Sequence, residues 1–555
     1  MKKLLRPALL AASAFVLSAA AARAQTLLYD VGGSSADDHF GTAVVGLGDV
    51  NGDGRADWAV GAPQDANVFA LGPGYVRVFS GSSGAVLFTL QGTTFSTDAF
   101  GSALGSVGDL NGDGRPEFIV GAPGAGASVE GRAYVFLAAG GAPLFTVTGS
   151  NLDDQLGLAV AGCGDVNADG KPDFVAGAPL ADVGGTERGY ARVYSGLNGA
   201  LLWSVSGTTN NEHLGLALDG AGDVNGDGKA DVLIGSSTGG AKIYSGANGS
   251  VLRTFTAPAL DRLGVSVAGL TDLNGDGVRD VAVGAPQDGN IFAPGPGYVN
   301  VYSGATGALI RTLTGLAAGD RFGWSVADAR DMNADGKSEI LAGADQYAFG
   351  GTGYVKVYNG ADGALLYTLN GSSASDRMGA AVDGMGDANN DGRLEFVLGI
   401  PNRSNLQSLA GEAQVWSQPA GCPQPNTYCS AANNSTGGPA LMSWSGSTSI
   451  AANNFVLHTS GAPANKLALY AYSASQANTP AGNGVLCIGA PFIRLPAFPT
   501  SSGGTATWGL DYNTLPAAGQ IHSGDVRNFV LWFRDPAAGG ANFNFSNGLS
   551  VTFCP

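Results

Sequence analysis

Histidine, cysteine, positive charge and long apolar runs are all scarce in this chain. Four histidines are spread over 555 residues: His39, His213, His458 and His522. None stands near a serine or cysteine motif, and neither a nucleophile-elbow nor a zinc spacing occurs, so the chain is expected not to be an enzyme. Lysine and arginine number 28 against 45 acids, a formal net charge of −17. Without a basic patch to displace phosphate counterions, a nucleic-acid partner is excluded. No stretch after the N-terminus approaches the ~18 consecutive apolar residues of a membrane span. There are 5 cysteines. Cys163 is isolated and expected to be a small buried hydrophobe. Cys422, Cys429, Cys487 and Cys554 fall in the last quarter and predict two disulfides in any of three pairings.

The N-terminus reads Met1-Lys2-Lys3-Leu4-Leu5-Arg6, then an apolar run from Pro7 to Ala22, then Ala22-Arg23-Ala24 before Gln25. Basic, apolar and small-residue segments in that order predict a secretory signal peptide over 1–24, and hence a secreted, extracellular or cell-surface protein.

What the chain has in abundance is glycine, 89 residues, and one acidic motif. The pattern D-x-N-x-D-G-x-x-[DE] occurs seven times, its first residues between 49 and 60 positions apart. Oxygen-bearing side chains at positions 1, 3, 5 and 9 converge only if the backbone curls, which the glycine at position 6 permits. Three carboxylates, one amide oxygen and the carbonyl of position 7 supply most of the shell of a hard cation such as Ca²⁺, which takes six to eight oxygens at about 2.3–2.6 Å. A plain hairpin turn accounts for the glycines but not for three mutually repelling acids in every loop.

The expected ligands are therefore, loop by loop, Asp49, Asn51, Asp53, Arg55 and Asp57; Asp109, Asn111, Asp113, Arg115 and Glu117; Asp165, Asn167, Asp169, Lys171 and Asp173; Asp223, Asn225, Asp227, Lys229 and Asp231; Asp272, Asn274, Asp276, Val278 and Asp280; Asp331, Asn333, Asp335, Lys337 and Glu339; Asp387, Asn389, Asp391, Arg393 and Glu395. The fourth residue of each set contributes its carbonyl, and up to seven Ca²⁺ ions are expected. An EF-hand needs a bidentate Glu at position 12. Here that position is Val60, Val120, Ala176, Ile234, Val283, Ala342 or Leu398, and a short β-like run follows, so each loop joins two strands.

Each unit repeats the same order: an acid before Phe-Gly or a variant (Asp38-His39-Phe40-Gly41), a small-residue strand, the acidic loop, a strand ending in Gly61-Ala62-Pro63 or a relative, then two more strands. Four short strands per unit, seven times over, predict an all-β fold, a seven-bladed β-propeller over 25–417. Leu27–Val31 reads as a fourth strand without its blade, and the last unit lacks one, so the N-terminal strand is expected to close the ring.

Phe40-Gly41, the acidic loop and Gly61-Ala62-Pro63 resemble the FG-GAP repeat of integrin α-subunit propellers. The resemblance implies calcium loops between the first and second strands of each blade, all on one face, with ligands on the other. Here all seven units keep the loop, Glu replaces Asp at 117, 339 and 395, and no inserted ligand-binding domain is seen.

On the face opposite the loops, the segments between second and third strands vary most and carry Phe69, Phe292, Tyr347 and Phe349, a place for a binding surface. The acid before each Phe-Gly is expected to accept backbone amides at a tight turn. A linker is predicted over 418–430 and a C-terminal β-sandwich-like domain over 431–555, in which Trp444, Trp508 and Trp532 are expected in the core. The function expected is a calcium-binding adhesion module for an extracellular protein or a surface glycan. The alternative is a lectin-like or hydrolytic propeller acting on extracellular polysaccharide.

Overall fold

The computed structural model describes residues 25–64, 72–93, 98–290, 292–333, 335–347, 350–404, 408–418, 425–448, 450, 453–522 and 525–553. The expected leader, Phe69, Phe349, Cys422 and Cys554 lie outside them. The chain divides into two units, 25–418 and 419–555.

The first unit is a seven-bladed β-propeller, each blade a four-stranded antiparallel sheet. Blade 1 comprises Ala43–Gly48, Asp57–Ala62, Tyr75–Phe79 and Val86–Gln91, from the axis outward. Blades 2 to 6 repeat this in sequence, and blade 7 is built from Ala381–Gly384, Glu395–Ile400, Glu412–Ser417 and, as its outer strand, Thr26–Gly32. Thr26 pairs with Ser417 and Gly32 with Glu412. The two ends of the unit thus share one sheet, and no strand edge is left over at a seam.

The recurring motifs hold blades together rather than making any blade by itself. The aromatic or aliphatic residue of each Phe-Gly pair (Phe40, Phe100, Leu156, Leu214, Leu263, Phe322, Met378) is at most 2% exposed and sits between neighbouring blades. Phe40 bridges to Gly411, Phe100 to Gly74 and Phe322 to Gly297 in short parallel pairings. The glycine that follows meets the glycine of Gly-Ala-Pro across the interface: a Cβ on Gly61 would lie 2.0 Å from the carbonyl oxygen of Gly101, and one on Gly399 1.9 Å from that of Gly41. No side chain fits there. Apolar residues accordingly form seven separate layers, one per pair of neighbouring blades, including one between blades 7 and 1.

The second unit is a β-sandwich-like domain. Its larger sheet contains Leu467–Ser473, Val526–Arg534 and Gly548–Thr552, and Asn426–Tyr428 pairs with the last of these. A three-stranded sheet of Leu441–Ser445, Val456–Ser460 and Ala506–Gly509 faces it. Between them lies one continuous core around Phe455, Tyr470, Tyr472, Phe529 and Phe553, against which Trp444 and Trp508 pack. Trp532 packs with a smaller cluster that includes Cys487. Cys429 and Cys487 form a disulfide, while Cys163 is buried in the propeller as a free thiol. Among the described residues, no helix is long and apolar enough to cross a membrane.

Candidate metal centres

All seven acidic loops connect the inner strand of a blade to the second, so they lie on one face of the ring. Each curls through the same hydrogen bonds. The carboxylate of position 1 accepts the N–H of the position-6 glycine at 2.7–2.9 Å in every loop. The side-chain oxygen of position 3 accepts the N–H of position 5, and the carboxylate of position 5 accepts the N–H of position 7. These are turns in which short polar side chains replace backbone acceptors. The position-6 glycines have φ between 80° and 86°, and a Cβ on them would meet nothing within 4 Å. Conformation, not space, requires glycine there.

Position 9 is different. Asp57, Glu117, Asp173, Asp231 and Glu395 begin the second strand, Asp280 and Glu339 immediately precede it, and all seven are 0% exposed. Each accepts the N–H of its own loop's position 2, at 2.6–3.0 Å. In blades 1, 3, 4 and 5 the other oxygen accepts an N–H from the hairpin of the outer two strands, Gly81, Gly196, Gly246 or Gly304. Burial raises Asp57, Asp173 and Asp280 to about 6, and Glu339 and Glu395 to about 7, with nearby loop carboxylates adding to the rise against these amide bonds. A carboxylate held in such a place favours a cation alongside it.

In blade 5 the ligand atoms of Asp272, Asp276 and Asp280 all lie within 4.8 Å of one another. Three hard anionic oxygens at that separation fit a divalent cation that prefers oxygen. The asparagine at position 3 is turned otherwise. In six loops its Nδ2 faces the position-9 acid, as Asn51 does Asp57 at 3.4 Å and Asn111 does Glu117 at 3.2 Å. Its oxygen accepts the N–H of position 5, just as the carboxylate oxygens of positions 1 and 5 accept loop amides.

Sequence reasoning assigned position 7 only a carbonyl, yet its side chain also acts. Arg115 reaches back to the carbonyl of Val50 in the preceding loop at 3.4 Å, and Lys337 reaches that of Leu273. The loops of blades 1 and 2, and of blades 5 and 6, are thereby tied together. An alignment of the units shows the basic residue; that it crosses to the neighbouring blade depends on blade packing.

On the opposite face, the acids before the Phe-Gly positions accept turn amides: Asp38 from Ser34 and Ser35, Asp154 from Ser150 and Asn151, Asp320 from Leu316 and Ala317. The residue between acid and Phe has positive φ in every blade. In blades 5 to 7 it is Arg262, Arg321 or Arg377, joined in one chain of ion pairs through Asp288 and Asp345 at 2.7–3.0 Å. Phe292 stands out from this face, 93% exposed.

The inner strands enclose an axial channel of about 500 Å³. Asp219 and Asp383 occupy the same register in blades 4 and 7, where the other blades have Val45, Gly105, Ala161, Ala268 and Ala327. Each accepts the N–H of the next blade's strand, from Gly269 at 2.8 Å and Gly46 at 2.9 Å.

Comparison with known proteins follows this geometry. The profile of the FG-GAP repeat matches residues 100–136, 156–194 and 263–304, and that of the FG-GAP-like repeat matches 223–283. Integrin alpha-5 of Xenopus laevis is 27% identical over 221 residues, 37% of this chain and 20% of that protein. Integrin alpha-IIb of Homo sapiens is 30% identical over 230 residues, 38% of this chain and 21% of that protein. Phosphatidylinositol-glycan-specific phospholipase D of Homo sapiens is 32% identical over 222 residues, 34% of this chain and 25% of that protein. Each match spans a quarter or less of the relative's own length.

Proposed function

The chain is an FG-GAP repeat protein resembling the N-terminal propeller of integrin α-subunits, and from that premise we propose that it is a secreted, calcium-binding propeller that serves as a binding or adhesion module outside the cell. The observation that carries the metal part is the convergence of Asp272, Asp276 and Asp280, within a loop whose hydrogen bonds recur in all seven blades. The ligands would be the side-chain oxygens of positions 1, 3, 5 and 9 with the carbonyl of position 7, and up to seven ions would be held. A bound divalent ion supplies positive charge where three acids meet; no reaction is assigned to it. What the chain itself contributes is a curled backbone that presents those acids together.

The binding surface is the face opposite the loops, where Phe292 and Tyr347 are exposed, and the partner is an extracellular protein or surface glycan. The phospholipase relative supports a second reading, in which the propeller works beside hydrolytic chemistry on an extracellular polysaccharide or a surface glycan. Calcium titration calorimetry on the purified chain, followed by a glycan array and a polysaccharide-degradation assay, tests both. Saturable calcium binding that Asp276→Ala reduces by one site supports the metal assignment; a heat trace indistinguishable from buffer defeats it. Release of reducing ends would favour the second reading over the first.

A further inference from the structure

Three blades share a pattern on the side facing the preceding blade, and blade 2 inverts it. In blade 1 the third strand carries Tyr75 and Arg77, in blade 3 Tyr190 and Arg192, in blade 6 Tyr354 and Lys356. The tyrosine hydroxyl donates to the turn acid, Asp38, Asp154 or Asp320, at 2.7–2.9 Å. The cationic side chain lies along the groove beside the previous blade's outer strand. Arg77 covers Tyr75 at 4.9 Å and Phe40 at 5.5 Å and bonds Gly32 and Ser34; Arg192 covers Tyr190 at 4.3 Å and bonds Ser150 at 2.6 Å. Lys356 lies 5.3 Å from the Phe322 ring.

Blade 2 has these two residue types exchanged. Arg132 stands in the tyrosine's place and Tyr134 in the cation's: Tyr134 pairs with Thr146 as Arg77 does with Thr89 and Arg192 with Ser204. The exchange strands one polar atom at the groove, the Tyr134 hydroxyl; Asp98 lacks a partner for a different reason, since the glutamine that bonds the turn acid in blade 1 is Gly124 here. Asp98 Oδ1 and the Tyr134 hydroxyl are buried without a hydrogen-bond partner, in residues only 1% and 9% exposed. The groove that an arginine fills in blades 1 and 3 is here a cavity of about 510 Å³, walled by Phe88, Phe100, Tyr134 and Phe136, with Thr93 at one end and Pro143 at the other. Phe100 lies 5.7 Å from Tyr134 and 6.0 Å from Phe136 between ring centres.

We propose that the groove between blades 1 and 2 binds a small organic cation, a guanidinium or primary ammonium on a short aliphatic stem. The molecule itself shows what fits: equivalent grooves hold such a group from within, stacked on aromatic rings. Ring faces attract a desolvated cation, and the buried Tyr134 hydroxyl without a partner is an acceptor awaiting a donor in the cavity wall. The flanking apolar walls suit a methylene stem.

Ligand-observed saturation-transfer NMR on the full chain, with calcium present, tests this. Agmatine is the free-amine probe and acetyl-Ala-Arg-Ala-amide the peptide probe; the same peptide with citrulline is the uncharged control. Both cations are expected to show saturation transfer at about 1 mM, and the citrulline peptide to bind at least about tenfold more weakly. Tyr134→Arg, which refills the groove as blades 1 and 3 do, is expected to weaken both cations by about tenfold or more while leaving calcium binding and the melting temperature intact. Should that variant not fold, Phe88→Ala, which removes a half-buried wall, is expected to weaken them similarly. Tighter binding of the peptide than of agmatine identifies the source as a basic side chain of a partner polypeptide; the reverse identifies a free amine. No transfer from either cation at about 10 mM, equal transfer from the citrulline control, or affinities unmoved by both variants overturns the proposal.

Discussion

The propeller and the C-terminal unit bury apolar residues in opposite ways. The C-terminal unit gathers Phe455, Tyr470, Tyr472, Phe529 and Phe553 into one core and adds a disulfide between residues 58 apart. The propeller splits its apolar residues into seven thin layers, each shared by two blades, with glycine backbones in contact across each gap and three acids at each inner hairpin. A core of that kind relies on neighbours, and therefore on whatever fixes the hairpin tips. The contrast predicts that each unit answers to a different perturbation.

The largest effect is expected from chelation. A ligand bound only to the folded state stabilises it by about 2.7 kcal/mol per site at a hundredfold excess over its dissociation constant, and several sites act together. Excess chelator should lower the propeller's melting transition by well over 10 °C and open its loops to protease, on the scale of about 4–8 °C per kcal/mol for a small domain and less for a large one. The C-terminal transition should stay where it was. A propeller transition that ignores the chelator would remove the reason for regarding the tips as metal sites.

Reduction should do the reverse. Closing a loop of 58 residues restricts the unfolded chain by about 4 kcal/mol in the chain-entropy treatment, with engineered and native cases usually at 2–4. Dithiothreitol, or Cys487→Ala with Cys429→Ala, is expected to lower the C-terminal transition alone. Equal shifts in both transitions would show that the two cores are not independent.

The glycines sharpen the comparison further. Gly61→Ala would place a Cβ 2.0 Å from the Gly101 carbonyl oxygen, whereas Gly509 in the C-terminal unit has nothing within 4 Å of that position. Overpacking against backbone costs about 1–3 kcal/mol or more, so Gly61→Ala should destabilise markedly and Gly509→Ala should change stability by about 0.5 kcal/mol or less. Denaturant midpoints at unchanged slope read both. Similar losses at the two positions would contradict the interlocked-backbone account of blade packing.

The propeller was legible from sequence because its constraints are local and repeated. Asp-x-Asn-x-Asp-Gly declares its own turn, and Phe40-Gly41 with Gly61-Ala62-Pro63 recurs in fixed order, so blade number and strand order follow from counting. The curl of each loop was legible for the same reason: the bonds among positions 1 to 7 that bend it are local. What escaped were relations between blades. That Arg115 caps the preceding loop, that Asp288 and Asp345 link three arginines, and that exchanging Arg132 and Tyr134 opens a groove all depend on which residues neighbouring blades turn toward each other. In the C-terminal unit, without repeats, the sheet-rich character and the sandwich-like class could be read from the sequence. Strands such as Asn426–Tyr428 and Phe543–Phe545 could not be placed, because their pairing partners lie far along the chain.

The smallest effect concerns an acid on the propeller's axis. Asp383 lines the axial channel, and burial, against its bonds to the Gly46 and Gly384 amides, pushes it up to about 7; Arg330 nearby pulls it down and Asp219 up. An ordinary aspartate titrates near 3.8. Between about pH 4 and 7 the folded chain therefore holds more protons than the unfolded one, and this contribution to stability falls as pH rises through that window. With calcium saturating, so that the loop acids stay fixed, the propeller should melt higher at pH 5 than at pH 8. Asp383→Asn keeps one acceptor for the amides and cannot ionise, so it should narrow that difference by about 1 kcal/mol after allowing for screening by channel water. Asp219, raised to about 6 by burial in blade 4, would keep part of the slope. The C-terminal transition should be indifferent to the substitution. A variant whose propeller shows the parent's full slope would mean that Asp383 ionises in the channel at no cost, and that the axial acids are solvated rather than buried.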